Sequence, residues 1–254
     1  MTKHAHSAEP LPLAAIWPGI RAEAEILEKK EPALAEFVRH SILTEKNITG
    51  ALGKILSVKL ASVNVSEKSL QEIFLSVYQS APVLEEEAQH DLISIMKHDP
   101  AAHDLLTPFL FFKGFHALQS YRVGHWLWQQ GRQHLALHLQ NRISELFSVD
   151  IHPAAAIGHG VMMDHATGIV IGETTIVEND VLIWHDVTLG SRSLTGGDRH
   201  PKIKQGVHLG VGSCVLGNIE VGPGARVAAG SVVLDNVPPN VTVAGIPAKV
   251  VSKD

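Results

Sequence analysis

From Ile151 to Val233 an aliphatic residue or Met recurs every six positions, a period that neither an α-helix nor a plain alternating strand produces. The in-phase residues are Ile151, Ile157 and Met163, then Ile171, Val177, Ile183 and Leu189, then Ile203, Leu209, Val215, Val221, Val227 and Val233. Four residues after each, wherever the phase holds, the side chain is small or β-branched: Ala155, Val161, Thr167, Thr175, Val181, Val187, Val207, Ser213, Ile219, Ala225, Ser231 and Val237. Gly follows the aliphatic position five times, at Gly158, Gly172, Gly190, Gly210 and Gly222. Such a rhythm fits a β-helix whose coils have three six-residue sides, with the aliphatic residue inside the prism and small residues at its corners. The rhythm breaks twice: the step from 163 to 171 is eight and that from 189 to 203 is fourteen. Two extra residues therefore enter near "HATG" and eight around "SRSLTGGDRHP", and insertions in a solenoid become surface loops, often at the binding face.

The preceding segment solves a different packing problem. All seven Phe lie before residue 150, whereas 15 of the 21 Gly lie after it. "SEKSLQEIFLSVYQS" carries Leu70, Ile73, Phe74 and Val77 at the spacing of one helix face, with Ser66 as N-cap. Pro32, Pro82, Pro100 and Pro108 fall where helices start or stop, and the long stretch from Phe111 to Phe147 reads as two helices split near Gly131. Its aromatic stripe reads as core or subunit contact. The expected class is α+β, with a helical N-terminal domain over 1–148 and a β-helix domain over 149–254 that carries an inserted loop at 191–201.

Composition narrows the function. Net charge is −5, and the one block of like charge, Glu85-Glu86-Glu87, reads as a solvated helix face, so neither a nucleic acid nor an anionic membrane is an expected partner. The single cysteine, Cys214, leaves no disulfide framework or zinc-cysteine cluster and suits a reducing cytoplasm. The start "MTKHAHSAEP" has no apolar leader core, and no stretch approaches the roughly 18 apolar residues of a spanning helix, so a soluble cytoplasmic protein is expected. "GVGSCVLG" and "GPGARVAAG" read as corner glycines: the third Gly of a dinucleotide fingerprint is missing, and no Walker lysine motif occurs. No Ser sits in a nucleophile elbow and Cys214 has no adjacent His, which disfavours covalent catalysis.

The candidate chemistry lies at the two breaks. His165 follows Asp164 at the first, and Asp198-Arg199-His200 occupy the second. An imidazole with an ordinary pKa near 6.5 is the usual base for a hydroxyl nucleophile, and a carboxylate on its other nitrogen fixes tautomer and orientation. Asp150 or Asp164 could be that carboxylate, and spacing does not choose between them. Arg199 offers a planar fork for a carboxylate ligand, and surplus acids could hold an ammonium. Together these residue types describe a site for a hydroxyl-bearing amino acid.

"DIHPAAAIGHGVMMDHATGIVIGETTIVENDV", "VTLG", "GGDRHPKI", "LGNIEVG", "AGSVVL" and "AGIPAK", with "FFKGFHALQSYRVGHWLW" upstream, resemble the bacterial serine O-acetyltransferases over roughly residues 80 to 250. The resemblance implies a left-handed parallel β-helix after the helical domain and a hexamer built as a dimer of trimers. It implies transfer of acetyl from acetyl-CoA to the hydroxyl of L-serine, supplying O-acetylserine for cysteine synthesis, with L-cysteine as feedback inhibitor and no metal. His165 is implied as the catalytic base and Asp150 as its acid. Asp99, Asp164, Arg199 and His200 are implied to bind serine at the cleft between neighbouring β-helices, and Ser191, Val211, Ala229 and Lys249 to lie along the CoA. Serine would then react directly in a ternary complex, with no acyl-enzyme. Two departures stand out. Ser191 replaces the family's common second Gly after "TLG", and the sequence stops a few residues after Lys249, which puts the complex with O-acetylserine sulfhydrylase, made through a longer tail, in doubt.

Rival functions use the same β-helix. A zinc hydratase of the γ carbonic anhydrase kind could draft His159, His165, His185, His200 and His208 as ligands, but it needs neither the helical half nor the GGDRHPKI loop. A sugar or antibiotic acyltransferase is disfavoured by Arg199 and the extra aspartates. Homoserine is the harder exclusion, because one methylene is worth only about 1–3 kcal/mol.

Overall fold

A computed structural model describes residues 11–253; the opening "MTKHAHSAEP" and the terminal Asp254, on which two of the expectations above rest, lie outside the described residues. Eight α-helices come first: α1 Leu13–Lys30, α2 Ala35–Val38, α3 Ile48–Leu60, α4 Glu67–Ser80, α5 Val83–His98, α6 Leu106–Phe111, α7 Lys113–Gln129 and α8 Gln133–Phe147. Side chains cap the starts of α3 and α4. Ser66 accepts a hydrogen bond from the Ser69 N–H at 3.1 Å and Asn47 accepts one from Gly50 at 2.9 Å, each satisfying an otherwise orphaned donor. The split between α7 and α8 is made at Gly131, with φ of +76°. No helix among the described residues is long and apolar enough to cross a membrane.

From Val149 onward the chain coils into three parallel sheets. Sheet A stacks Val149–Ile151, Ile169–Ile171, Thr188–Gly190, Cys214–Leu216 and Val232–Val233. Sheet B stacks Ala156–Ile157, Ile176–Val177, Lys202–Ile203 and Glu220–Val221. Sheet C stacks Met162–Met163, Leu182–Ile183, His208–Leu209, Arg226–Val227 and Val241–Gly245, closed by the antiparallel strand Ala248–Lys253. Every residue of the six-fold series lies in one of these strands, and all but the half-buried Ile157 are buried. Inside the prism they form columns such as Ile151, Ile171, Leu189, Val215 and Val233, each directly over the last. The corner glycines have the reason expected of them: a Cβ at Gly210 would stand 2.7 Å from backbone atoms of the next coil.

Two expectations are corrected. Thr167 is exposed and does not take the corner position its phase assigned, because the two-residue insertion enters before it; the corner is taken by Ile169, fully buried two residues before Ile171. The Glu85-Glu86-Glu87 run is not wholly solvated either, since Glu87 turns inward and pairs with Arg122 at 2.8 Å.

That pair belongs to the junction between the halves. Asp91 of α5 is fully buried, and the Arg122 side chain of α7 is only 3% exposed. Arg122 Nη2 donates to Asp91 Oδ2 at 2.8 Å and to the Gly158 carbonyl at 2.7 Å, while Asp91 Oδ1 accepts from the Val161 N–H at 2.9 Å. Gln119 Nε2 donates to the same carboxylate, and the Tyr121 hydroxyl donates to the Ala155 carbonyl. Two helices thus grip the first coil through charged groups whose hydrogen bonding is nearly complete, the condition under which a buried ion pair is tolerated. Arg122→Met is expected to destabilise the fold by about 3–5 kcal/mol by stranding the Asp91 charge, and Asp91→Asn added to it to recover part of that loss. Urea unfolding of the variants measures both, and a loss under about 1 kcal/mol would overturn the assignment.

Candidate active site

The two insertions occupy different edges of the prism. Residues 164–168 turn the chain from sheet C to sheet A, and residues 191–201 turn it from sheet A to sheet B.

At the first edge the extra residues make a tight, left-handed turn: His165 has φ of +54°, Ala166 of +60° and Gly168 of +78°. The Ala166 N–H reaches the Asp164 carbonyl at 2.5 Å and the Thr167 N–H reaches that of His165 at 2.8 Å. A non-glycine residue in this region costs roughly 1–2 kcal/mol, so the turn persists only because its surroundings hold it. It throws the His165 ring outward, 75% exposed, with Nε2 at 3.8 Å from Asp164 Oδ1 and the ring edge-to-face with His185 at 5.8 Å between centroids. The helical half supplies the opposite wall. Asp99 ends α5, its Oδ1 capping the Ala101 N–H at 2.8 Å, and Lys113 opens α7 with Nζ at 2.5 Å from Thr167 Oγ1. Gly114 lets α7 approach this closely, since a Cβ there would fall 2.1 Å from the Met163 carbonyl oxygen. Between these walls lies a cavity of about 610 Å³ lined by His98, Asp99, Lys113, Asp164, His165 and Trp184 among others.

At the second edge Arg199 Nη2 donates to Glu173 Oε2 at 2.6 Å, and Thr174 Oγ1 accepts from the N–H groups of Arg199 and His200 at 3.0 and 3.1 Å. The hydrogen bond from Arg199 holds the Glu173 carboxyl below its ordinary range. His200 is buried, and burial followed by the Arg199 charge pushes its pKa down. Its Nδ1 accepts from the Thr174 N–H at 3.2 Å, which leaves the proton of the neutral ring on Nε2. A hollow lined by Glu173, Thr174, Leu194 to Gly197 and Arg199 opens beside the guanidinium.

One chain therefore brings together three of the expected residues, Asp99, Asp164 and His165, and holds Arg199 and His200 apart from them. Asp150 projects from the first strand of sheet A, where Gln140 Nε2 of α8 donates to it at 2.7 Å; among the described residues the acid within 4 Å of the His165 ring is Asp164. Val211 and Ala229 lie on the His165 edge one and two coils above His185, linked by the bonds Gly212 N–H to His185 and Gly230 N–H to Val211. Lys249 is exposed on the closing strand beyond them, and Ser191 is on the other edge, its hydroxyl bonded within the loop to Ser193. Among the described residues no three His, Cys, Asp or Glu converge as a metal-binding group. The drafted histidines have other neighbours: His159 stacks on His90 at 4.5 Å and His208 lies 6.2 Å from Trp184.

Trp184, Glu173 and Thr174 were not singled out in the sequence, and His185 only as a rival metal ligand, although the repeat could have placed all four. Met163 pairs with Ile183, an offset of 20, which puts Trp184 and His185 directly over Asp164 and His165. Ile176 pairs with Lys202, an offset of 26, which puts Arg199 and His200 over Glu173 and Thr174. His98 and Lys113 carried no such signal, because only helix docking brings them to the edge.

Known proteins resemble this chain in sequence and fold. Residues 16–120 match the family model described as serine acetyltransferase, N-terminal. The serine acetyltransferase of Escherichia coli (strain K12) is 51% identical over 241 residues, 95% of this chain and 88% of that protein. A solved serine acetyltransferase in complex with cysteine superposes with a TM-score of 0.94 at 51% identity, covering 96% of this chain and 95% of that one. The enzyme from Brucella abortus strain S19 in complex with coenzyme A superposes with a TM-score of 0.92 at 43% identity, over 99% and 98% of the two chains. Sequence, helical half and β-helix all agree, and the chain belongs to the serine acetyltransferase family.

Proposed function

We propose that the protein transfers the acetyl group of acetyl-CoA to the hydroxyl of L-serine, with His165 as general base. The observation that carries this reading is the outward-thrust His165 ring sharing a cavity with the Asp99 and Asp164 carboxylates. Two acids beside an imidazole suit a zwitterionic amino acid: the carboxylates take the ammonium, and the ring is left to face the side-chain hydroxyl. His165 accepts the hydroxyl proton as oxygen attacks the thioester carbonyl; the carbon–sulfur bond breaks, and the imidazolium returns the proton to the departing sulfur. General-base help is worth roughly 10²–10⁴-fold, and fixing both substrates in one cleft roughly 7–11 kcal/mol. Transfer is direct, within a ternary complex. His165→Ala is expected to lower kcat at least a hundredfold with the fold intact, and acetyl-CoA alone to leave no acetylated enzyme by mass spectrometry; near-normal turnover or a stable adduct would overturn the mechanism.

The serine carboxylate needs a cation, and Arg199 stands on the other edge of the same sheet A. A cyclic assembly that turns the outer faces of sheet A toward its axis brings the His165 edge of one copy against the Arg199 edge of the next. The outward column of sheet A suits such burial: Asp150, Val170, Thr188, Cys214 and Val232 are compact, and Val170 is 40% exposed in the single chain. Arg199 and the Nε2–H of neutral His200 then receive the substrate carboxylate, and Asp150 approaches His165 from the neighbouring copy. Co-assembly of His165→Ala with Arg199→Ala, each inactive alone, is expected to restore activity at about a quarter of the sites by random assortment; no recovery in verified mixed assemblies would place the complete site within one copy.

CoA runs from His165 along the edge past Val211 and Ala229 toward Lys249, with Ser191 contributed from the facing edge. L-Cysteine differs from serine by sulfur for oxygen, so the same clamp would accept it, and the relative solved in complex with cysteine supports cysteine as a ligand. Inhibition by cysteine is expected to be competitive with serine, and cysteine binding to be lost together with serine binding in Arg199→Ala; full cysteine affinity in that variant, measured by calorimetry, would contradict a shared clamp.

A further inference from the structure

We infer that Lys113 is a positioning residue for the reaction, acting through Thr167 to hold the turn that carries His165. The inference rests on His165 being the base. The turn has a problem that its own backbone does not solve. Two consecutive non-glycine residues, His165 and Ala166, are left-handed, and the catalytic ring is largely exposed, so neither an ordinary backbone well nor side-chain packing fixes where it points. The backbone is tied at its far end: the Gly168 N–H donates to Ser148 and the Asp186 N–H to the Thr167 carbonyl, at 2.8 and 2.7 Å. The side of the turn facing α7 is tied by a side chain from the other half of the molecule, Lys113 Nζ on Thr167 Oγ1 at 2.5 Å, across 54 residues of sequence.

Thr167 is the residue that the insertion pushed out of the prism, so its hydroxyl has no structural duty in the β-helix. Lys113 is the first residue of α7, whose next residue, Gly114, lies against Met163 and Ala166 at backbone distance. The ammonium is therefore delivered from a rigid helix to a strained turn, two residues from the base, and it adds a side-chain tie from the helical half to a turn whose other hydrogen bonds are made by backbone groups. A misplacement of about 1 Å can cost up to about a hundredfold in rate without weakening ground-state binding.

The test is a double-mutant cycle in kcat with Lys113→Met, which keeps the stem, and Thr167→Val, which keeps the shape, in the full-length enzyme. Each is expected to lower kcat by about tenfold or more, with KM for serine and for acetyl-CoA within about twofold and an unchanged thermal midpoint. The double variant is expected to be no slower than the slower single variant, and Lys113→Arg to recover within about threefold of wild type. Normal kcat in Thr167→Val, multiplicative losses in the double variant, or a loss confined to serine KM in Lys113→Met would each overturn the inference, the last by making Lys113 a direct serine contact. His165→Ala is measured alongside: if it retains activity, the base assignment falls first, whereas an inactive His165→Ala with unimpaired Lys113 and Thr167 variants sinks the positioning role alone.

Discussion

The buried contact between Arg122 and Asp91 is the constraint on which the site depends, because it fixes one half of the molecule against the other. Asp91 lies on α5 and Arg122 on α7, and each also bonds backbone groups of the first coil at Val161 or Gly158. The C-terminal end of α5 carries Asp99 and the N-terminal end of α7 carries Lys113, so one ionic anchor sets where two walls of the cavity stand. A charged anchor suits this task better than an apolar one. Hydrophobic contact is non-directional and tolerates sliding, whereas a guanidinium paired to a carboxylate with most of its hydrogen bonds made tolerates little.

The β-helix contributes a ruler. A regular coil advances 18 residues, as from Ile171 to Leu189, and the insertions lengthen single coils to 20 and 26 residues without disturbing the interior columns. The extra length is expelled at the corners, where it makes the His165 turn on one edge and the Arg199 loop on the other. On the proposed reading, acid–base chemistry and anion binding are thereby segregated on a rigid body, a division that the proposed cyclic assembly would remove. The Glu173 carboxylate occupies Arg199 in the single chain, so the substrate carboxylate proposed to bind there would have to share or displace it.

Much of this was legible before any coordinates. The phase of the interior residues, the places where it fails, the helix cap at Ser66 and the break near Gly131 are local properties, and each was read from the residues that create them. Thr167 was misread because a repeat counted forward through an insertion stays in phase on paper, while the chain resets its phase from the next strand backward. Glu87 was misread because a charge run looks solvated until a buried arginine is found 35 residues away. Trp184, His185, Glu173 and Thr174 were within reach of the repeat once the offsets 20 and 26 were applied.

By itself the sequence determined the prism, its two interruptions, and the residue types placed at them, because six-residue periodicity is written into each strand by which side chains can be buried there. Only the tertiary structure decided that the two interruptions open on different edges, that Asp164 rather than Asp150 lies beside His165 within one chain, and that Lys113 arrives from the helical half beside Asp99. Those outcomes depend on register summed over whole coils and on one buried ion pair joining distant segments, and no local pattern encodes either.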